Sequence, residues 1–151
     1  NSLKHFYMRS KNSPHDKRRI MYIIPMKSNH IAVWVRDIEK VCEFYQKYLG
    51  GNIQPEYHNP SKGFKSRFIT FEENTRIEVM HRTDIESSIS YPHFGWCHIA
   101  ISLGSKEMVD KMTARMESDG ITIVGKPRTT GDGYYESVVQ DPEGNFVELT
   151  I

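Results

Sequence analysis

Two histidines and two glutamates stand at matched places in this 151-residue chain. His30 opens the run His30-Ile31-Ala32-Val33-Trp34, and His98 opens His98-Ile99-Ala100-Ile101-Ser102. Glu78 lies inside Arg76-Ile77-Glu78-Val79-Met80, and Glu148 inside Phe146-Val147-Glu148-Leu149-Thr150. Each histidine is followed by its glutamate after about fifty residues, so the chain reads as two copies of one unit. Alternate residues of a strand share a face. Ile31, Val33 and Val35 therefore oppose His30, Ala32 and Trp34, while Ile77 and Val79 oppose Glu78. In the second unit Ile99, Ile101 and Leu103 oppose His98, and Val147, Leu149 and Ile151 oppose Glu148. All four polar residues fall on faces turned away from the apolar side, and a face that curves into a cup brings them together. Two imidazole nitrogens and two carboxylate oxygens, completed by water, suit divalent nickel, zinc, cobalt, manganese or iron. A carboxylate buried without a cation is costly, so a metal gives these charges a reason to be there.

The elements that must position these groups are legible from spacing. Asp37 is placed to cap a helix with Ile38, Val41, Tyr45, Tyr48 and Leu49 on one stripe, stopped by Gly50 or Gly51. Strands follow at about 52–58, 65–71 and 75–81, with turn signals at Asn59-Pro60 and Glu73-Asn74. In the second unit Ser105 caps a helix whose inner stripe is Met108, Val109, Met112 and Met116, stopped by Gly120. Strands near 121–124, 134–140 and 145–151 complete it, the last two joined by the turn Asp141-Pro142-Glu143-Gly144. The expected fold is α+β: two βαβββ repeats forming a cupped mixed sheet around a metal site, with helices on the outer face. The repeats run over 26–82 and 95–151 of a domain spanning 26–151. Residues 1–25 are expected to be an extension, polar and basic as far as Arg19, with an edge strand at 21–25.

A formal net charge of +1 gives no electrostatic case for nucleic acid or an acidic membrane surface. Cys42 and Cys97 form no C-x-x-C pair, which argues for a reducing compartment, and Cys97 is expected in the core rather than as a ligand. No apolar run approaches a membrane span, and the start shows no signal-type segment. The expectation is a soluble, cytoplasmic protein.

From about Lys27 to Ile151 the chain resembles the vicinal oxygen chelate superfamily, the group of glyoxalases, bleomycin-resistance proteins and extradiol dioxygenases. The resemblance rests on His30-Ile31-Ala32-Val33, Phe44-Tyr45 through Leu49-Gly50, His98-Ile99-Ala100-Ile101, and Asp141-Pro142-Glu143-Gly144-Asn145 with Glu148. It implies paired βαβββ modules around one metal. The ligand order His30, Glu78, His98, Glu148 resembles that of glyoxalase I, the lactoylglutathione lyase, with nickel or zinc as the first choice of metal. It is unlike the two histidines and one glutamate of extradiol dioxygenases.

The implied activity is a lyase or isomerase reaction: proton transfer on a metal-chelated oxo substrate such as a glutathione hemithioacetal. Glu148 is then the base and Glu78 a ligand or partner base. Two positions depart from that pattern. Trp34 and Arg82 stand where glyoxalase I commonly places the arginine and asparagine that hold glutathione, so both are assigned to substrate binding, and glutathione itself is in question. The alternatives are a binding protein of the resistance type that holds a small molecule without turning it over, and a ring-cleaving dioxygenase. Residues 128–135 are read as a lid over the cup or a plain loop. Repeat folds of this kind pair through sheet edges, so a homodimer is expected.

Overall fold

A computed structural model describes residues 29–72, 75–86, 96–131 and 133–151. The expected edge strand at 21–25, the extension, the Glu73-Asn74 turn and much of the linker lie outside the described residues. The chain is α+β. Its strands form two mixed sheets, each built from one repeat.

In the first repeat β1 (Ile31–Trp34) leads into α1 (Ile38–Leu49), and β2 (Asn52–Ile53), β3 (Tyr57–Asn59), β4 (Phe64–Thr70) and β5 (Arg76–Arg82) follow. The sheet order is β1-β5-β4-β2, with β3 also paired to β4. The single strand expected at 52–58 is broken in two. Pro55 sits in the gap, where a residue without an N–H cannot continue the ladder. The second repeat runs β6 (His98–Ser102), α2 (Lys106–Ser118), β7 (Ile123–Thr129), β8 (Tyr135–Gln140) and β9 (Phe146–Thr150), in the order β6-β9-β8-β7. β7 reaches five residues past the expected 121–124 strand. It can carry Pro127 because among the described residues it is an edge strand, paired to β8 with irregular register between Ile123 and Arg128.

The helix signals act as their chemistry predicts. Asp37 accepts from the Lys40 amide at 3.1 Å, and Ser105 from the Met108 amide at 3.3 Å, each satisfying a donor that the first helical turn leaves open. Gly50, at φ 68°, ends α1. Gly51 then runs so close to β4 that an added Cβ would meet Ile69 Cγ2 at 2.5 Å, which fixes the strand entry to a residue without a side chain.

Each helix covers the apolar face of its own sheet, and the buried residues of both repeats form one core, from Val41, Ile69 and Val79 to Val109, Met116, Val147 and Leu149. Cys42 is buried. Cys97 is exposed, contrary to expectation; it precedes β6, an edge strand among the described residues. Met108 also lies outside the core, on the exposed flank of α2, while Val109 and Met116 take the inner stripe.

The polar joint between repeats runs through the helix side. Tyr48 and Lys47 of α1 meet Asp119 at the end of α2, and Arg115 lies over the Tyr48 ring at 5.5 Å. Glu143, in the β8–β9 turn, accepts from the Arg36 and Asp37 amides at 2.7 and 3.0 Å and pairs with the Arg36 guanidinium at 2.9 Å.

Candidate functional site

Strand register builds the same His–Glu pair twice. β1 lies parallel to β5 with Ala32 opposite Glu78, and β6 lies parallel to β9 with Ala100 opposite Glu148. The histidine two residues earlier shares the face of its alanine, so its ring leans towards the glutamate of the next strand. His30 Nε2 stands 3.6 Å from Glu78 Oε2, and His98 Nε2 stands 3.4 Å from Glu148 Oε2. In both pairs the carboxylate is largely buried and the imidazole more open.

These spacings fit a shared cation. Two ligands about 2.1 Å from one zinc-like ion, at roughly the tetrahedral angle, stand about 3.4 Å apart, longer than a charge-assisted hydrogen bond. The first pair also has its tautomer set. His30 Nδ1 lies 2.9 Å from Asn29 Oδ1, an acceptor, which puts the proton on Nδ1 and leaves Nε2 free to ligate. Arg76 donates to both the side-chain and main-chain oxygens of Asn29 and lies over Phe68 at 4.8 Å, while Phe68 meets the His30 ring edge-on at 5.4 Å.

Around Glu148 the sheet supplies more charge. Burial and the neighbouring Glu136 carboxylate push the Glu148 carboxyl above its ordinary range, against the opposing pull of His98 and Arg128. Glu136 shares the site face through β8 and pairs with Arg128 at 3.0 Å. Asn29, Phe68, Glu136 and Arg128 did not emerge from the motif reading as parts of the site. Strand parity carried the signal for Glu136, since Tyr135 and Ser137 flank it on the opposite face.

The two pairs do not meet within one chain. Among the described residues no three metal-capable side chains come together. His30 with Glu78 and His98 with Glu148 thus stand as two separate pairs in one copy, which leaves the expected convergence of the four to a cup formed between copies. The residues assigned to substrate binding do meet: the Arg82 guanidinium lies over the Trp34 ring at 5.3 Å and pairs with Asp84. The segment read as a lid divides. Arg128 and Thr129 end β7, and the hairpin closes with Thr130 bonded to Tyr134. Tyr134 is exposed, whereas the Tyr135 hydroxyl donates to Asp110 at 2.6 Å.

The model of the Glyoxalase/Bleomycin resistance protein/Dioxygenase superfamily matches residues 27–149, and the chain belongs to that superfamily. Human mitochondrial methylmalonyl-CoA epimerase is 32% identical over 62 residues, which are 41% of this chain and 35% of the epimerase. The match thus spans about a third of that curated relative's length. Among solved structures, glyoxalase I of Zea mays superposes with a TM-score of 0.65 at 21% identity, over 81% of this chain and 43% of the maize enzyme. The trypanothione-dependent glyoxalase I of Leishmania major superposes with a TM-score of 0.67 at 21% identity, over 83% and 86%. At these identities the likeness is one of fold. No helix among the described residues is long and apolar enough to cross a membrane.

Proposed function

We propose that the protein is a metal-dependent lyase or isomerase of the glyoxalase type, which moves a proton on a carbon beside a chelated carbonyl, in a site that two copies of the chain complete. The observation that carries this reading is the duplicated His–Glu pair, each with its nitrogen and oxygen spaced as two ligands of one ion.

His30 and Glu78 of one copy, with His98 and Glu148 of the other, would hold a divalent cation, nickel or zinc first. Bound there, the cation supplies a Lewis acid for the substrate's oxygens and for the negative charge that develops on them. Glu148 takes the proton from the carbon and returns it to the neighbouring one, and Glu78 serves as the second carboxylate. The sheet edges support the two-copy arrangement. Among the described residues β1, which follows His30, and β6, which opens with His98, each pair on one side only, and Ile31 in β1 and Trp96 before β6 are exposed. A two-fold dimer that sets β1 against β6 of its partner makes two equal sites.

The test is to strip the protein of metal, reload it separately with nickel and zinc, and measure binding and turnover of the methylglyoxal–glutathione hemithioacetal. The expected stoichiometry is one ion per chain in a dimer, with turnover that Glu148→Gln abolishes. Metal binding with no turnover would favour the binding-protein reading. A folded protein that takes up neither ion would overturn the metal centre itself.

A further inference from the structure

Beyond the ligand pair and Phe68, three more aromatic rings cluster on the site face of the first sheet. Trp34 on β1, Phe64 on β4 and Tyr57 on β3 lie on one side, with ring centroids 6.1 Å apart for Trp34–Phe64 and 6.0 Å for Tyr57–Phe64. Trp34 and Tyr57 are 43% and 57% exposed. Two large rings held open to water on a site face, each braced by a third, form a surface that awaits a flat partner. The register sets their reach: Trp34 pairs with Met80, two residues along β5 from Glu78, a step of about 7 Å.

The nearby charge is already spent. Among the described residues the cation at this wall is Arg82, which lies over the Trp34 ring and is ion-paired with Asp84, so it is not free for a carboxylate-bearing arm such as a glutathione peptide.

We infer that the wall of Trp34, Phe64 and Tyr57 is the specificity subsite, and that the substrate is an aryl-substituted α-oxo or α-hydroxy carbonyl compound whose uncharged ring stacks there while its oxygens meet the ligand pair. This rests on the chelate reading of the site.

Benzohydroxamate and acetohydroxamate test it. Both chelate through two oxygens, and only one carries a ring. Affinities for the nickel-loaded protein are measured by titration and normalised to those for aqueous nickel. Wild type should bind benzohydroxamate about tenfold more tightly than acetohydroxamate. Trp34→Ala and Tyr57→Ala should each remove most of that preference without changing acetohydroxamate binding or nickel stoichiometry, and Trp34→Phe should retain most of it. Equal normalised affinities in wild type, or a preference that survives Trp34→Ala and Tyr57→Ala, overturn the aromatic subsite alone. Failure of both hydroxamates to bind nickel-loaded protein overturns the chelate reading, and the subsite with it.

Discussion

The Tyr48 hydroxyl donates to Asp119 Oδ2 at 2.8 Å, joining the first helix of one repeat to the end of the helix of the other. The same oxygen takes Lys47 at 2.9 Å. The joint ties the helix of one repeat to the helix of the other. Removing the hydroxyl while keeping the ring should leave the core intact and weaken only the joint. Tyr48→Phe is expected to lower the melting temperature by about 3 °C in a thermal scan. An unchanged value would show that Lys47 alone holds Asp119.

The joint also sets an acid limit. Hydrogen bonds from Lys47 and Tyr48 hold the Asp119 carboxyl below its ordinary 3.8. A carboxyl whose folded value is depressed adds stability above its unfolded value and loses it as pH falls through the folded one. Stability should therefore drop below about pH 4, and Asp119→Asn should flatten that part of the urea-midpoint profile. Parallel profiles for the two proteins would refute this account.

The proposed two-copy site makes a prediction about mixtures. His30→Ala and His98→Ala should each lack turnover, since each spoils both sites of its own dimer. In an equal mixture, half the dimers pair one variant with the other, and each of these holds one undamaged site. Activity should return to about a quarter of wild type after subunit exchange. A mixture that stays inactive under conditions where exchange is demonstrated would exclude a site shared between copies.

Beneath α2, Thr113 and Ser137 share a hydrogen bond at 2.6 Å, and both are buried. Thr113→Val keeps the volume and strands the Ser137 hydroxyl. The expected loss is about 1–3 kcal/mol in equilibrium unfolding, partly recovered in the double variant with Ser137→Ala. A double variant as unstable as the sum of the two single changes would contradict this account.

The duplication and the face of each ligand were readable from parity. Ile31, Val33 and Val35, like Val147 and Leu149, leave no choice about which side the intervening residues take. The caps at Asp37 and Ser105 were readable for the same reason, since each is a local transaction between a side chain and amides three residues on. What parity does not reach is the placement of one repeat against the other. That depends on Glu143 meeting the amides of Arg36 and Asp37, and on Asp119 meeting Tyr48, contacts between residues about a hundred and about seventy positions apart. The exposure of Cys97 escaped as well, because edge strands follow the same alternation as central ones. Asn29 could not be found by motif, since its role arises from where the His30 ring and Arg76 happen to meet.

Glu78 reaches His30 only while Ala32 stands opposite it, and Glu148 reaches His98 only while Ala100 does. A slip of one residue between β1 and β5 would present Ile77 or Val79 to the imidazole and drive the carboxylate into the core. A cation held by these pairs would bind only chains whose parallel strands had paired correctly. It would proof-read the fold twice, once in each half of the molecule.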